Sequence, residues 1–274
     1  MHSTHSYRRG FNLTRVLTGA LAVPIVVGIV LYGSPTLFFL LVALVVAGAA
    51  REYFEMIALT GIEGFPWLGQ IMSFLLLLGF FLNPGLVLVW GALAPPVLFA
   101  TWLLHEKNVK VALDQIAYTL LGVVYVGGLG GYYLLIRDSG DGAHLVLFLL
   151  TVIWLGDIAA YYGGRTFGRR PLAETVSPRK TLEGAAAGLF GSFLGGLVGN
   201  FVFLPEISIV HCLLAAIICG IIGQFGDLAE SLLKRHTGVK DSGNLLPGHG
   251  GILDRIDSLL FAGPAFYCYL RFLL

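Results

Sequence analysis

Charged residues are scarce in this chain. Only 12% of its 274 residues are Asp, Glu, Lys or Arg, whereas 57% are hydrophobic. Soluble globular domains carry about 25% charged residues, so this composition excludes a soluble globular protein. The mean hydropathy of +0.84 supports the same conclusion. We therefore predict an integral membrane protein.

Cysteine is rare as well. Cys212, Cys219 and Cys268 stand singly in apolar segments, with no C-x-x-C spacing. This pattern gives no indication of a zinc site. We expect all three to be small buried packing residues.

Long apolar runs occupy most of the chain. A run of about 20 apolar residues can cross roughly 30 Å of hydrocarbon, and in lipid each span must be helical to satisfy its own backbone. We predict an all-α, polytopic protein with nine transmembrane helices, at 16–33, 35–50, 66–82, 85–104, 113–136, 144–164, 184–204, 208–230 and 252–273. The first run lacks a small-residue cleavage site, so we interpret it as a retained span.

The spans predict one membrane domain, 1–274, with two parts and no soluble module. An amino-terminal group of spans covers 1–143. The remainder, 144–274, contains two polar loops, 165–183 and 231–251, and is predicted to be the catalytic half.

The distribution of basic residues predicts the orientation. If the amino terminus is cytoplasmic, every Lys and Arg except Arg137 and Arg271 falls on the cytoplasmic side, including Arg8, Arg9 and Lys107. The positive-inside rule expects such a bias. We therefore expect a multi-pass protein of the cell's inner membrane, with both polar loops in the cytoplasm, where nucleotides are available.

Acidic residues mark the candidate active site. Asp227 and Glu230 are three residues apart at the end of the eighth span, and Asp254 and Asp257 repeat that spacing at the start of the ninth. An i, i+3 pair shares one helix face, and a compact loop makes the two helices antiparallel neighbours. Asp157 adds a carboxylate within the sixth span. Several carboxylates beside a phosphate-bearing substrate suit Mg²⁺.

Structural ion pairing is the alternative interpretation of these acids. Glu230 precedes Lys234 by four residues, which is the spacing of a helical ion pair. Asp157 has a similar candidate partner in Arg165. Both interpretations stay open at this point.

Groups suited to phosphate binding surround the acids. Lys234, Arg235, Lys240 and Arg255 supply positive charge, and the segment SPRKTLEG, 177–184, adds Arg179 and Lys180. Glycines at 248, 250 and 251 allow a phosphate to approach backbone N–H groups closely. For His249 we favour a binding or loop-ordering role over that of a general base.

These motifs carry a family resemblance. The carboxy-terminal half, roughly 154–261, resembles phosphatidate cytidylyltransferases, also called CDP-diacylglycerol synthases. The upstream segments GDIAAYYGGR, SPRKTLEG and GQFGDLAES contribute to it. The densest match lies at Ser231, Leu233, Lys234, Arg235, Lys240, Asp241, Gly243, Leu246, Pro247, His249, Gly250, Gly251, Asp254, Arg255 and Asp257.

The resemblance implies a reaction of CTP with phosphatidic acid to give CDP-diacylglycerol and pyrophosphate, a step of phospholipid biosynthesis. It also implies a homodimer in the bilayer, a site that uses Mg²⁺ with a monovalent cation such as K⁺, and no nucleic-acid partner. By carry-over to matching positions, the metal ligands are Asp227 and Asp254, supported by Asp157 and Asp257. The expected catalytic set is Asp227, Asp254, Asp257, Lys180 and Lys234. The expected substrate-binding set is Arg179, Lys180, Lys234, Arg235, Lys240, His249, Gly250, Gly251 and Arg255.

Two other functions fit parts of the pattern. A CTP-dependent lipid kinase, for example one acting on a polyprenol, would share the membrane setting, nucleotide and metal but transfer the γ-phosphoryl group. An ion-coupled transporter would use intramembrane acids such as Asp157 and Asp227. The chain shows no inverted repeat and its polar residues gather at one surface, so the sequence favours the enzyme. The dense aspartate run of alcohol phosphotransferases is also absent.

Overall fold

The computed structural model of the protein describes residues 13–105 and 108–274. The orientation prediction uses Arg8, Arg9 and Lys107, which lie outside these ranges. Four helices form the amino-terminal part: α1 (Leu13–Tyr32), α2 (Pro35–Ala58), α3 (Pro66–Leu82) and α4 (Gly85–His105). Helix α2 begins where Ser34 accepts a hydrogen bond from Leu37 N and Pro35 takes the first helical position.

One long rod follows, and it is not uniformly α-helical. Helices α5 (Ala112–Gly122) and α6 (Leu129–Asp138) are joined by a π-helical stretch, Val123–Gly128, so that Val109–Asp138 is continuous. The stretch contains two glycines, and the Cβ of any residue replacing Gly127 would lie 2.7 Å from the Ser73 backbone of α3. The local change of helix type thus lies where this rod packs closely on α3.

The carboxy-terminal part contains four helices and a hairpin. The helices are α7 (Gly142–Phe167), α8 (Leu182–Phe203), α9 (Ile209–His236) and α10 (Leu253–Phe272). Between α7 and α8, strands β1 (Pro171–Ala173) and β2 (Ser177–Thr181) pair antiparallel. The sequence predicted no strands here, because both are short and lack alternating apolar residues.

The number of helical rods agrees with the number of predicted spans. Counting Val109–Asp138 as one rod, the described part of the chain contains nine helical rods, and six of them are long and apolar enough to cross a bilayer. Helix α3 and the apolar stretch Thr18–Tyr32 of α1 are shorter, and α10 carries charged residues in its first turns. The protein is therefore an all-α, multi-pass membrane protein.

Helix α9 is longer than predicted. It continues through His236, whereas the predicted span ended at residue 230, so the first residues of the predicted 231–251 loop are helical. The helix ends where Gly238 adopts a φ of 75° and donates to Arg235 O. Val239 N donates to Lys234 O at 2.9 Å, which completes a Schellman cap. Hydropathy placed the end of this span too early because the last turn of α9 carries Lys234, Arg235 and His236.

Glycines bring α7 and α8 into close contact. A Cβ at Gly195 would lie 2.8 Å from Val152 Cα, and one at Gly184 would lie 3.0 Å from Gly164 Cα. Small residues allow such backbone approach in membrane helices, where packing replaces the hydrophobic driving force. The α7–α8 pair positions two parts of the site, because Asp157 lies on α7 and the hairpin connects the two helices.

Candidate active site

A cavity of about 650 Å³ lies among α7, α8, α9, α10 and the hairpin. All four predicted aspartates line it, and so do Arg165, Arg179 and Lys180. Its other polar lining residues include Tyr161, Ser177, Gln224 and Ser258. Acids and cations that lie far apart in sequence thus meet in one space that is large enough for a phosphate-bearing ligand.

Lys180 connects the hairpin to α9. Its Nζ lies 2.6 Å from Asp227 Oδ1 and donates a hydrogen bond of 3.2 Å to Ser231 Oγ. Strand β2 ends at Thr181, whose side chain caps α8 by accepting from Gly184 N. The position of Lys180 is therefore set by the start of α8 and by its ion pair with Asp227.

Lys234 lies between two buried carboxylates. Its Nζ contacts Glu230 Oε2 and lies 2.7 Å from Asp254 Oδ1. The side chains of Lys234, Glu230 and Asp254 are only 12%, 0% and 10% exposed. The structural alternative for Glu230 is therefore correct as far as the ion pair is concerned. One ammonium here contacts two acids, so the group is net negative when both acids are ionised.

Asp254 is also held by backbone donors. Its Oδ2 accepts from Ser242 N at 3.0 Å and from Gly251 N at 3.1 Å. With Lys234 on the other oxygen, the orientation of this carboxylate is restricted by three charge-assisted hydrogen bonds.

Among the described residues, three acids form the group best suited to a cation. Asp227, Glu230 and Asp257 each offer an oxygen within 4.8 Å of the other two. Glu230 Oε1 is buried and accepts no hydrogen bond from the described residues. A buried carboxylate oxygen without a donor is costly unless a cation compensates it, and hard cations prefer oxygen ligands. These residues therefore fit a divalent metal such as Mg²⁺.

The sequence matches a known protein family over almost its whole length. The sequence model of the cytidylyltransferase family matches residues 13–273. The chain belongs to this family.

Relatives of known name cover nearly the whole length. The phosphatidate cytidylyltransferase of Bacillus subtilis is 35% identical over 92% of this chain and 95% of its own. That of Synechocystis is also 35% identical, over 95% of this chain and 97% of its own. That of Staphylococcus haemolyticus is 38% identical over 91% and 95%. The similarity therefore includes the amino-terminal helices, where the sequence offered only hydropathy.

Several residues predicted to bind substrate contact the protein itself. Arg235 donates to Val176 O of the hairpin turn and to Val239 O. Arg255 donates to His249 O through two nitrogens. The structure thus gives Arg235 and Arg255 loop-ordering contacts, and their substrate contacts stay predictions. Lys240 is exposed.

Two distinct constraints require glycine in the loop at 237–252. Gly248 and Gly250 have φ values of 75° and 80° and shape a tight turn in which Leu246 N donates to Gly250 O. At Gly251 a Cβ would collide with Ser242 Oγ and Glu52 Oε2. Binding of phosphate by Gly250 and Gly251 stays a prediction.

The predicted site lacked two acids that the structure brings into or beside it. Glu230 was left open between ion pairing and the metal site and was not among the predicted metal ligands, yet it lies in the three-acid group with Asp227 and Asp257. Glu52 was overlooked because the predicted second span ended at residue 50. It is fully buried in α2 and contacts the 237–252 loop. A glutamate within a longer apolar helix was the available signal, since intramembrane acids are rarely incidental.

The Lys234 group generates a prediction about charge balance. Lys234→Met leaves Glu230 and Asp254 adjacent and buried without the cation they share, and breaking a buried pair costs about 3–5 kcal/mol. We expect a clear fall in the thermal-unfolding midpoint of the purified protein in detergent. Adding Glu230→Gln removes one of the two charges and should restore part of the midpoint but not the activity. If Lys234→Met were as stable as wild type, Lys234 would not be needed to compensate the charge of Glu230 and Asp254.

Proposed function

We propose that this chain transfers the CMP group of CTP to phosphatidic acid, giving CDP-diacylglycerol and pyrophosphate. The observation that carries the proposal is the full-length similarity to phosphatidate cytidylyltransferases across both halves. The cavity supports it, because its carboxylates and cations suit a metal-assisted reaction between two phosphates.

The reaction needs positioning rather than proton transfer. A non-bridging oxygen of the lipid phosphate forms a bond to the α-phosphorus of CTP. The bond from that phosphorus to the β-phosphate oxygen breaks, and pyrophosphate leaves with the electron pair. No general base is required, because a phosphate monoester is already ionised near neutral pH. Catalysis then comes from alignment and from compensation of charge.

The cations of the cavity perform the binding. Arg179 and Lys180 are on strand β2, and both line the cavity. They can hold phosphate oxygens. When Lys180 contacts the ligand, it gives up part of its contact with Asp227. Lys234 lies deeper, between Glu230 and Asp254, and keeps those two acids in place. We therefore assign phosphate contact to Arg179 and Lys180, and support of the acids to Lys234.

The acids of the cavity would hold the metal. Asp227 and Asp257 belong to the three-acid group, and Asp157 and Asp254 line the same cavity. When bound, Mg²⁺ supplies positive charge to the phosphate oxygens at which negative charge develops. Asp227 is the proposed ligand on which the family resemblance and the geometry agree. The geometry adds Glu230 and Asp257, and the resemblance adds Asp254. A monovalent cation such as K⁺ and a homodimer rest on the family resemblance and stay predictions.

The two loops of the site share one side of the membrane. The hairpin follows α7 and the 237–252 loop follows α9, so two helices separate them. The distribution of Lys and Arg supports a cytoplasmic position for both. A site at this level receives CTP from water and phosphatidic acid from the bilayer.

Labelled CTP distinguishes this reaction from a lipid kinase. Purified protein is incubated with Mg²⁺, phosphatidic acid and CTP that carries label at either the α or the γ phosphorus. We expect α label in the extracted lipid and γ label in released pyrophosphate, because attack occurs at the α-phosphorus. Lipid that carried γ label, with CDP left in the water, would instead establish a kinase.

Substitution of one acid tests the metal assignment. Asp227→Asn keeps the size of the side chain but removes a hard anionic ligand, so turnover should fall more than about tenfold, equivalent to about 1.4 kcal/mol. Asp254→Asn should behave similarly. The matched control is Asp138→Asn, because Asp138 is exposed at the end of α6. If Asp227→Asn kept more than about a tenth of wild-type turnover, Asp227 would be withdrawn as a ligand.

Single cysteines test the orientation. Thr175 in the hairpin turn and Asn244 in the 237–252 loop are both exposed, so cysteines there are accessible to a water-soluble reagent. In a background without the native cysteines, we expect an impermeant thiol reagent to label each only after the cytoplasmic face is opened. Labelling of either position in intact cells would reverse the proposed orientation.

A further inference from the structure

Glu52 is a buried acid without a basic partner among the residues that the structure describes. It lies in α2 with 0% exposure, next to the fully buried Tyr53. Among the ion pairs of the described residues none includes Glu52, whereas Glu55, one turn later, pairs with Arg51 at the surface. Burying a carboxylate costs several kcal/mol unless hydrogen bonds compensate it. The hydrogen-bond donors around Glu52 therefore account for its presence.

Those donors come from the catalytic half of the chain. Glu52 Oε1 accepts from Ile252 N at 3.0 Å, and Oε2 accepts from Leu253 N at 2.9 Å. Oε2 also accepts from Ser242 Oγ at 3.0 Å. Ile252 and Leu253 are 200 and 201 residues away in sequence, and they begin α10. Glu52 thus occupies the position of a helix N-cap, supplied by another helix.

With Glu52 in place, the first turn of α10 is satisfied. The leading N–H groups of a helix have no intrahelical acceptor, and a carboxylate there is favoured by the helix dipole. Gly251 N donates to Asp254 Oδ2, and Asp254 N donates to Ser242 Oγ. Ser242 therefore links Glu52 to Asp254 on both sides of its hydroxyl. The carboxylate of Asp254 is oriented by the same network that Glu52 anchors.

Two glycines of the motif are explained by this contact. A Cβ at Gly243 would lie 2.6 Å from Glu52 Oε1, and one at Gly251 would collide with Glu52 Oε2 and Ser242 Oγ. On the α2 side, a Cβ at Gly48 would collide with Ile252 Cδ1. The loop and α2 therefore approach each other closely, and a Cβ at any of these glycines would require a neighbouring group to move.

We propose that Glu52 is a positioning residue for cytidylyl transfer. It caps α10 from the amino-terminal half and so sets Asp254 against Lys234 at the cavity. This inference rests on the proposed function, because it concerns the geometry of that active site. Glu52 itself does not line the cavity, so it acts through Ser242 and Asp254 and not by contact with substrate.

The test replaces Glu52 with its isostere. In Glu52→Gln the amide NH₂ must face either the Ile252 N–H or the Leu253 N–H, so one accepted bond becomes a donor–donor contact. We expect kcat to fall at least about tenfold, equivalent to about 1.4 kcal/mol, with the KM for CTP within about threefold of wild type. The matched control is Glu55→Gln on the exposed face of the same helix, which should leave kcat and KM unchanged.

Amide hydrogen exchange separates positioning from general stability. In Glu52→Gln we expect faster exchange in the peptide 241–257 and unchanged exchange in α7 and α8. Glu52→Asp keeps both acceptor oxygens on a shorter side chain, so it should retain more kcat than Glu52→Gln. If the Gln variant does not fold, the same measurements on the Asp variant against wild type decide the question.

Two results would overturn the inference. One is a kcat within about threefold of wild type for Glu52→Gln. The other is faster exchange spread evenly over all helices, with activity falling only as folded protein is lost. Failure of the proposed function itself would look different, because wild-type protein would make no CDP-diacylglycerol while the local exchange effect at 241–257 persisted.

Discussion

The structure depends on a single constraint: carboxylates buried within a membrane protein must be compensated. Lys234 lies between Glu230 and Asp254, and one ammonium does not neutralise two acids. The remaining negative charge lies beside Asp227 and Asp257, where a divalent cation can balance it. The resting ion pairs and the capacity to bind a metal therefore have the same origin, and a group of acids that is left short of positive charge is suited to binding Mg²⁺ with phosphates.

Compensation also joins the two halves of the chain. Glu52 of α2 is satisfied by the loop before α10, and Tyr53 on the same helix donates to Tyr118 O. Tyr118 in turn hydrogen-bonds with His236 at the end of α9 at 2.9 Å. The amino-terminal helices thus hold the polar ends of α9 and α10, the two helices that carry the acids. These contacts are a structural reason why the similarity to full-length relatives extends over the amino-terminal helices.

Features that depend on neighbouring residues in the sequence were predicted better than features that depend on distant ones. Most spans were predicted within a few residues because an apolar run of sufficient length has one stable form in lipid. The second span was placed too short, since α2 continues past residue 50 to Ala58. The end of α9 was placed too early, since hydropathy does not register a polar turn that a Schellman cap at Gly238 completes. The hairpin was missed because its strands carry no alternation. Glu230 and Lys234 were correctly paired from their spacing, but the part of Glu230 in the group with Asp227 and Asp257 depends on α10.

The sequence by itself determined that the chain crosses the membrane, that its polar residues gather between 231 and 257, and which family it resembles, because hydropathy and motif spacing are local properties of a chain. Only the tertiary structure decided which acids meet, that Arg235 and Arg255 order the loop, and that Glu52 caps α10. Those pairings join residues as many as 201 positions apart. Their energies depend on burial and on distances of a few ångströms, which arise only when the helices have packed.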